Sequence, residues 1–182
     1  MRRLRALLVG LGQIGCGYDS DIPFRSDQPR SSLRTLSHAR ALACHPGFEL
    51  VAGIDPCAKA RQRFNLLYEA PSYSDISSWW ANSGDPPPDL VVIAVPAQVQ
   101  LSLVQNLLQL TQPQLLLLEK PVASSLEQAR GLQVVCSQHP HLKVAVNSFG
   151  LGYLPCRIGD GACRLVSCVA SCMSRSSAEN AS

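Results

Sequence analysis

Residues 90–95 read LVVIAV, and this run constrains the fold more than any other stretch. Six apolar residues stand in a row, most of them β-branched. The stiff segment Asp85-Pro86-Pro87-Pro88-Asp89 leads into the run, and Pro96 stops it. A strand that is apolar at every position suits a central parallel strand buried on both faces. Such a strand needs helices above and below its sheet.

The rest of the chain supplies them. Residues 5–9, 48–54 (FELVAGI), 115–118 and 142–146 read as further strands, with a short extended piece at 72–74. Residues 37–44 (SHARALAC), 58–68, 98–110 and 124–137 have helical composition, and 75–81 reads as a helical turn carrying Trp79 and Trp80. Ser37 is a suitable N-cap, and Ser124 with Glu127 has the spacing of a capping box. His45-Pro46-Gly47 breaks the first helix. Strands alternating with helices at this spacing are βαβ units with right-handed crossovers. The expected fold is α/β, a doubly wound parallel sheet of Rossmann type. Ligands of such sheets bind beyond the carboxyl ends of the strands.

Four features fall at those ends: a glycine turn, Asp55, Pro96 and Glu119-Lys120-Pro121. Gly10-Leu11-Gly12-Gln13-Ile14-Gly15 fits G-x-G-x-x-G directly after a strand. The first glycine permits the tight turn, the second lets backbone approach a pyrophosphate, and the third allows close packing. A purely structural turn is the competing reading. Asp55 closes the second strand, where a carboxylate can accept both ribose hydroxyls of an adenosine. It would repel a 2′-phosphate, which favours NAD over NADP. Lys59, Arg61 and Arg63 lie nearby and keep NADP possible. Lys120 at a strand end can bind or polarise a substrate hydroxyl, with Glu119 holding its charge or touching the cofactor. A plain strand end with solvated charges is the competing reading there. The four histidines flank helices and turns, so none is assigned to catalysis.

One spacing is abnormal. The acid normally follows the last glycine by about 20 residues, whereas Gly15 to Asp55 is 40. Residues 16–34 are therefore expected to be an insertion between the glycine turn and the first helix. That displaces the helix dipole and leaves more of the anion binding to the amides of Gly12 to Gly15.

Composition narrows the class. With 46% hydrophobic and 16% charged residues the chain is globular in character. The net charge of +3 is not clustered beyond MRRLR, so no nucleic-acid partner is expected. No apolar run is long enough for a membrane span. The amino terminus superficially resembles a signal peptide, but glycines break it where the apolar region should continue. Of the eight cysteines, Cys16, Cys44, Cys57 and Cys136 are scattered, while Cys156, Cys163, Cys168 and Cys172 crowd the carboxyl-terminal stretch. None forms CxxC. No metal site is expected, and reduced thiols in a cytoplasmic protein are the preferred reading.

GLGQIG, ELVAGIDP, DLVVIAVP and LLLEKPVA, in this order, resemble the Gfo/Idh/MocA oxidoreductase family over roughly residues 5–147. The resemblance implies a two-domain NAD(P)-dependent enzyme acting on carbinols of sugars, inositols and related polyols. It implies that Lys120 is the catalytic lysine, that Glu119 lies by the cofactor, and that Ala94, Val95 and Pro96 form a nicotinamide-side loop. Gly10, Gly12, Gln13, Ile14, Gly15, Asp55 and Pro56 complete the implied cofactor set. A His often falls four residues after the proline of the fourth strand in that family; here the position is Gln100.

The family's second domain, an α+β unit with much of the substrate pocket and the usual oligomer interface, is expected to be missing from these residues. The expected division is a nucleotide-binding domain over 1–147 and an irregular tail over 148–182, rich in Cys, Ser and Gly. A frameshift near Asn147 is one account of that tail, and a genuine short form is the other. A non-catalytic dinucleotide-binding or interaction module is the alternative function, and an S-adenosylmethionine methyltransferase a third. Homo-oligomerisation is expected only with the second domain present.

Overall fold

The computed structural model describes residues 2–22, 35–84 and 86–147. Six strands form one parallel sheet: β1 (Leu4–Val9), β2 (Phe48–Ile54), β3 (Ser72–Tyr73), β4 (Leu90–Ile93), β5 (Leu115–Glu119) and β6 (Lys143–Asn147). Their order is β3-β2-β1-β4-β5-β6, and every neighbouring pair is parallel. The order reverses between β1 and β4, which opens a crevice at their carboxyl ends.

The helices are α1 (His38–Cys44), α2 (Ala58–Leu67), α3 (Ile76–Ser83), α4 (Ala97–Leu110) and α5 (Leu126–Ser137). They divide between the two faces, as alternate residues of β1 show. Leu7 and Val9 join a core with Val91, Ile93, Leu116 and Leu118, closed by Val104 and Leu107 of α4 and Leu132 of α5. Ala6 and Leu8 join a second core with Leu90 and Val92, closed by Ala39 and Leu42 of α1 and Phe64 of α2. Each large apolar side chain buried this way contributes about 1.5–3 kcal/mol. The residues of β4 thus serve both cores, which is why no polar residue interrupts them.

Three local readings change. β4 ends at Ile93; the Ala94 N–H still donates to the Val9 carbonyl at 2.7 Å, and Ala94 and Val95 line the crevice. The cap of α5 is Ser125, whose side chain accepts the Gln128 N–H at 3.2 Å. Gln128 Oε1 in turn accepts the N–H and hydroxyl of Ser124. The capping pattern is present one residue later than its Ser-x-x-Glu spacing suggested, with Gln128 in place of Glu127. The glycine turn, finally, opens into a π-helical turn at Gln13–Gly17 instead of loop.

Trp79 is buried in the core beneath α3, and Trp80 is partly exposed against it. Residues 23–34 of the expected insertion and the whole tail 148–182 lie outside the described residues. Among the described residues, no helix is long and apolar enough to cross a membrane, and no group of three His, Cys, Asp or Glu is placed to hold a metal.

Candidate functional site: the crevice between β1 and β4

The three turn glycines have different surroundings. Gly10 has φ +95°, and a Cβ there would lie 2.3 Å from the Ala94 carbonyl oxygen. A Cβ on Gly15 would lie 1.9 Å from the Gly10 carbonyl oxygen. Both contacts are with backbone, so neither neighbour can swing away. Gly12 differs: a Cβ there would meet nothing within 4 Å. Its missing side chain leaves room on the ligand side of the turn. The turn fits a pyrophosphate by that observation.

Asp55 braces the turn from the end of β2. Its Oδ2 accepts the Leu11 N–H at 2.7 Å and its Oδ1 accepts the Cys57 N–H at 2.8 Å. Each oxygen keeps a lone pair for a further donor. Two of the three basic residues beside it are turned to backbone carbonyls, and Lys59 is exposed. Arg61 Nη1 donates to the carbonyls of Asp55 (2.7 Å) and Pro56 (2.9 Å), and Arg63 Nη2 donates to the Leu11 carbonyl. Burial pushes the Cys16 thiol up, against the hydrogen bond from Arg63, so this thiol is poorly nucleophilic.

A cleft of about 590 Å³ runs along the carboxyl ends of β1, β2 and β4. It gathers Gly10, Gly12, Asp55, Pro56, Ala94, Val95 and Pro96. Gln13, Gly15, Glu119 and Lys120 do not line it, and Ile14 faces a second groove of about 750 Å³ over β4, β5 and β6. The cleft also contains residues that the sequence reading missed: Ser74, Asp75 and Ser77 beyond β3, and Ser102 and Asn106 of α4. Asp75 caps α3 by accepting the Ser78 N–H at 2.7 Å. That bond and the hydroxyls of Ser74 and Ser78 hold its carboxyl below the usual range. The end of β3 could have marked this wall by the same rule that marks Asp55.

The start of α1 is occupied by the chain itself. Asp19 accepts the N–H groups of Leu36 (2.8 Å) and Ser37 (3.0 Å) and the Ser37 hydroxyl (2.5 Å). Its Oδ2 lies 3.3 Å from Arg40 Nε, and both side chains are fully buried. Arg40 Nη2 also donates to the carbonyls of Asp19 and Ile22. The start of α1 is therefore neutralised internally.

Glu119 ends β5 and is nearly buried. His38 Nε2 lies 2.6 Å from its Oε1, Asn147 Nδ2 donates to the same oxygen, and Oε2 accepts the Lys120 N–H at 3.1 Å. Lys120 is exposed. Burial pushes the Glu119 carboxyl up, but the hydrogen bonds of His38 and Asn147 and the charge of His38 outweigh it and hold it low. A lowered folded-state value means that Glu119 stabilises the fold above the ordinary carboxylate range, and that this contribution fades as pH falls through the lowered value. Urea midpoints measured from pH 7 down to pH 3 should fall less steeply for Glu119→Gln than for the parent chain.

Gln100, fully buried, links the loops after β4 and β5. Its Nε2 donates to the carbonyls of Val95 (3.3 Å), Glu119 (3.0 Å) and Pro121 (3.1 Å).

This architecture is a doubly wound parallel domain, with a glycine turn after β1 and an acid after β2. The chain belongs to the Gfo/Idh/MocA family, described as an oxidoreductase family with an NAD-binding Rossmann fold, which it matches over residues 4–148. That match sets the methyltransferase reading aside. No curated protein matches the chain.

Solved structures share the fold. The WlbA dehydrogenase from Bordetella pertussis, in complex with NADH and UDP-GlcNAcA, is 23% identical with a TM-score of 0.61, over 80% of this chain and 35% of its own. Myo-inositol 2-dehydrogenase from Lactobacillus plantarum is 17% identical with a TM-score of 0.59, over 80% and 36%. A myo-inositol dehydrogenase from Corynebacterium glutamicum is 21% identical with a TM-score of 0.56, over 79% and 36%. The chain spans about a third of the length of these proteins.

Proposed function

We propose that residues 4–147 form the cofactor half of an NAD-dependent sugar or polyol dehydrogenase. The open space at Gly12, beside a cleft that reaches Asp55, carries this reading. The amides of Gln13, Ile14 and Gly15 would receive the pyrophosphate. Asp55, with Pro56 beside it, would receive the adenosine ribose. Ala94, Val95 and Pro96 would flank the nicotinamide. The bound nicotinamide supplies the hydride acceptor for a substrate CH–OH carbon. Lys120 is the catalytic residue of this proposal: its ammonium orients the substrate hydroxyl and takes part in moving its proton. Glu119 holds the lysine's backbone and sits on the cofactor side.

The substrate class rests on the family and on what its solved members bind, as do the second domain and any oligomer. Cys16 and Cys57 are free thiols, which suits a cytoplasmic location. The domain boundary at 147 is part of the same proposal and is supported by the end of the family match at residue 148.

NAD is favoured over NADP on two grounds. Asp55 and Asp75 both line the cleft, so a 2′-phosphate there would face two carboxylates. Arg61 and Arg63 are turned to backbone carbonyls. Fluorescence titration of the chain should show NADH binding about tenfold or more tighter than NADPH, equivalent to about 1.4 kcal/mol. Asp55→Ser should narrow that gap. Absence of binding by either nucleotide at millimolar concentration would sink the proposal.

A further inference from the structure

His38 lies in the first turn of α1, yet its ring meets the end of β5. The side chains of His38 and Glu119 are only 12% and 8% exposed. Asn147 brings β6 to the same carboxylate oxygen. Three elements thus converge on one group, and that group's other oxygen takes the Lys120 N–H. From the opposite side Gln100 holds the carbonyls of Glu119 and Pro121. The peptide segment that carries Lys120 is therefore gripped from both sides, and among the described residues His38 is the only ring in the grip.

The sheet order separates this cluster from the adenosine side. Asp55 ends β2, on one side of β1. Glu119 ends β5, beyond β4 on the other side. The two mononucleotide-binding halves of such a sheet lie on opposite sides of the switch point. A disturbance at Glu119 should reach the nicotinamide half and spare the adenosine half.

We propose, on the nucleotide-binding reading above, that His38 is a positioning residue for the nicotinamide side of the site. It fixes the Glu119 carboxylate, and through it the backbone of Lys120. Asn147 alone cannot do this. It supplies one neutral donor, whereas His38 fills a second acceptor position at a nearly buried carboxylate, where an unfilled position is costly. The buried Asp19–Arg40 pair holds the start of α1, and so keeps the His38 ring at its distance from β5.

The test compares two ligands on the 182-residue chain by calorimetry. NADH spans both halves, and ADP-ribose lacks the nicotinamide. His38→Ala should weaken NADH about tenfold, as expected for losing one hydrogen bond to a charged group, and leave ADP-ribose within about twofold. His38→Gln, which keeps an N–H donor, should recover most of the loss. If His38→Ala does not fold, His38→Gln and His38→Leu carry the same comparison. Equal weakening of both ligands would reduce His38 to a structural role and overturn the proposal, and so would unchanged NADH binding. A parent chain that binds neither ligand overturns the nucleotide-binding reading and this inference together. A parent that binds both, with variants that fail to separate them, overturns the inference alone.

Discussion

Asp19→Ala should destabilise the protein by about 3–5 kcal/mol, because it takes a charge partner from a fully buried guanidinium. The Arg40 side chain has no exposure at all, and Asp19 carries the neutralising charge. The same carboxylate also satisfies the Leu36 and Ser37 N–H groups and the Ser37 hydroxyl. One substitution therefore removes a charge partner and three hydrogen bonds. A domain of this size is stable by about 5–15 kcal/mol, so the loss is a large fraction of the whole. Urea unfolding followed by circular dichroism measures it. Asp19→Asn keeps acceptor capacity without the charge and should fall between the two. A single Asp19→Ala midpoint within error of the parent would contradict the clamp.

Gly12→Val should abolish measurable NADH binding, a loss of a hundredfold or more, about 2.7 kcal/mol, with little change in stability. Gly12 has φ −66° and ψ −159°, an extended backbone with negative φ. Its Cβ position is empty, so the fold does not object. The added side chain would instead fill the space that the pyrophosphate needs. Gly15→Ala makes the opposite prediction. Its Cβ would sit 1.9 Å from a backbone oxygen, so the turn itself must move, and stability should fall along with binding. Measuring urea midpoints and NADH affinity on both variants separates a ligand-facing glycine from a packing glycine. Retained affinity in Gly12→Val would place the dinucleotide elsewhere.

The sheet was readable because its signals are local. Residues 90–95 announce a strand buried on both sides, and Pro96 and Asp55 punctuate strands at their ends. What stayed hidden depends on contacts between distant positions. His38 and Glu119 are 81 residues apart, and a histidine beside an N-cap looks like a solvated helix start. Arg40 in SHARALAC resembles any exposed helical arginine. Nothing in the local pattern says that a carboxylate from residue 19 will follow it into the interior. Gln100 likewise reads as a polar helix residue, although it is fully buried and holds three carbonyls. Asp75 opens the helical turn read at 75–81; only the fold shows that it caps α3 and also lines the cleft.

The Asp19–Arg40 clamp also couples two segments that are distant in sequence. It ties Asp19 and Ile22 to Ser37 and Arg40, so the chain that leaves the glycine turn and the start of α1 are held as one piece. A change that loosens α1 is therefore felt at the turn, and a change after Gly15 is felt at α1, although about twenty residues separate them along the chain.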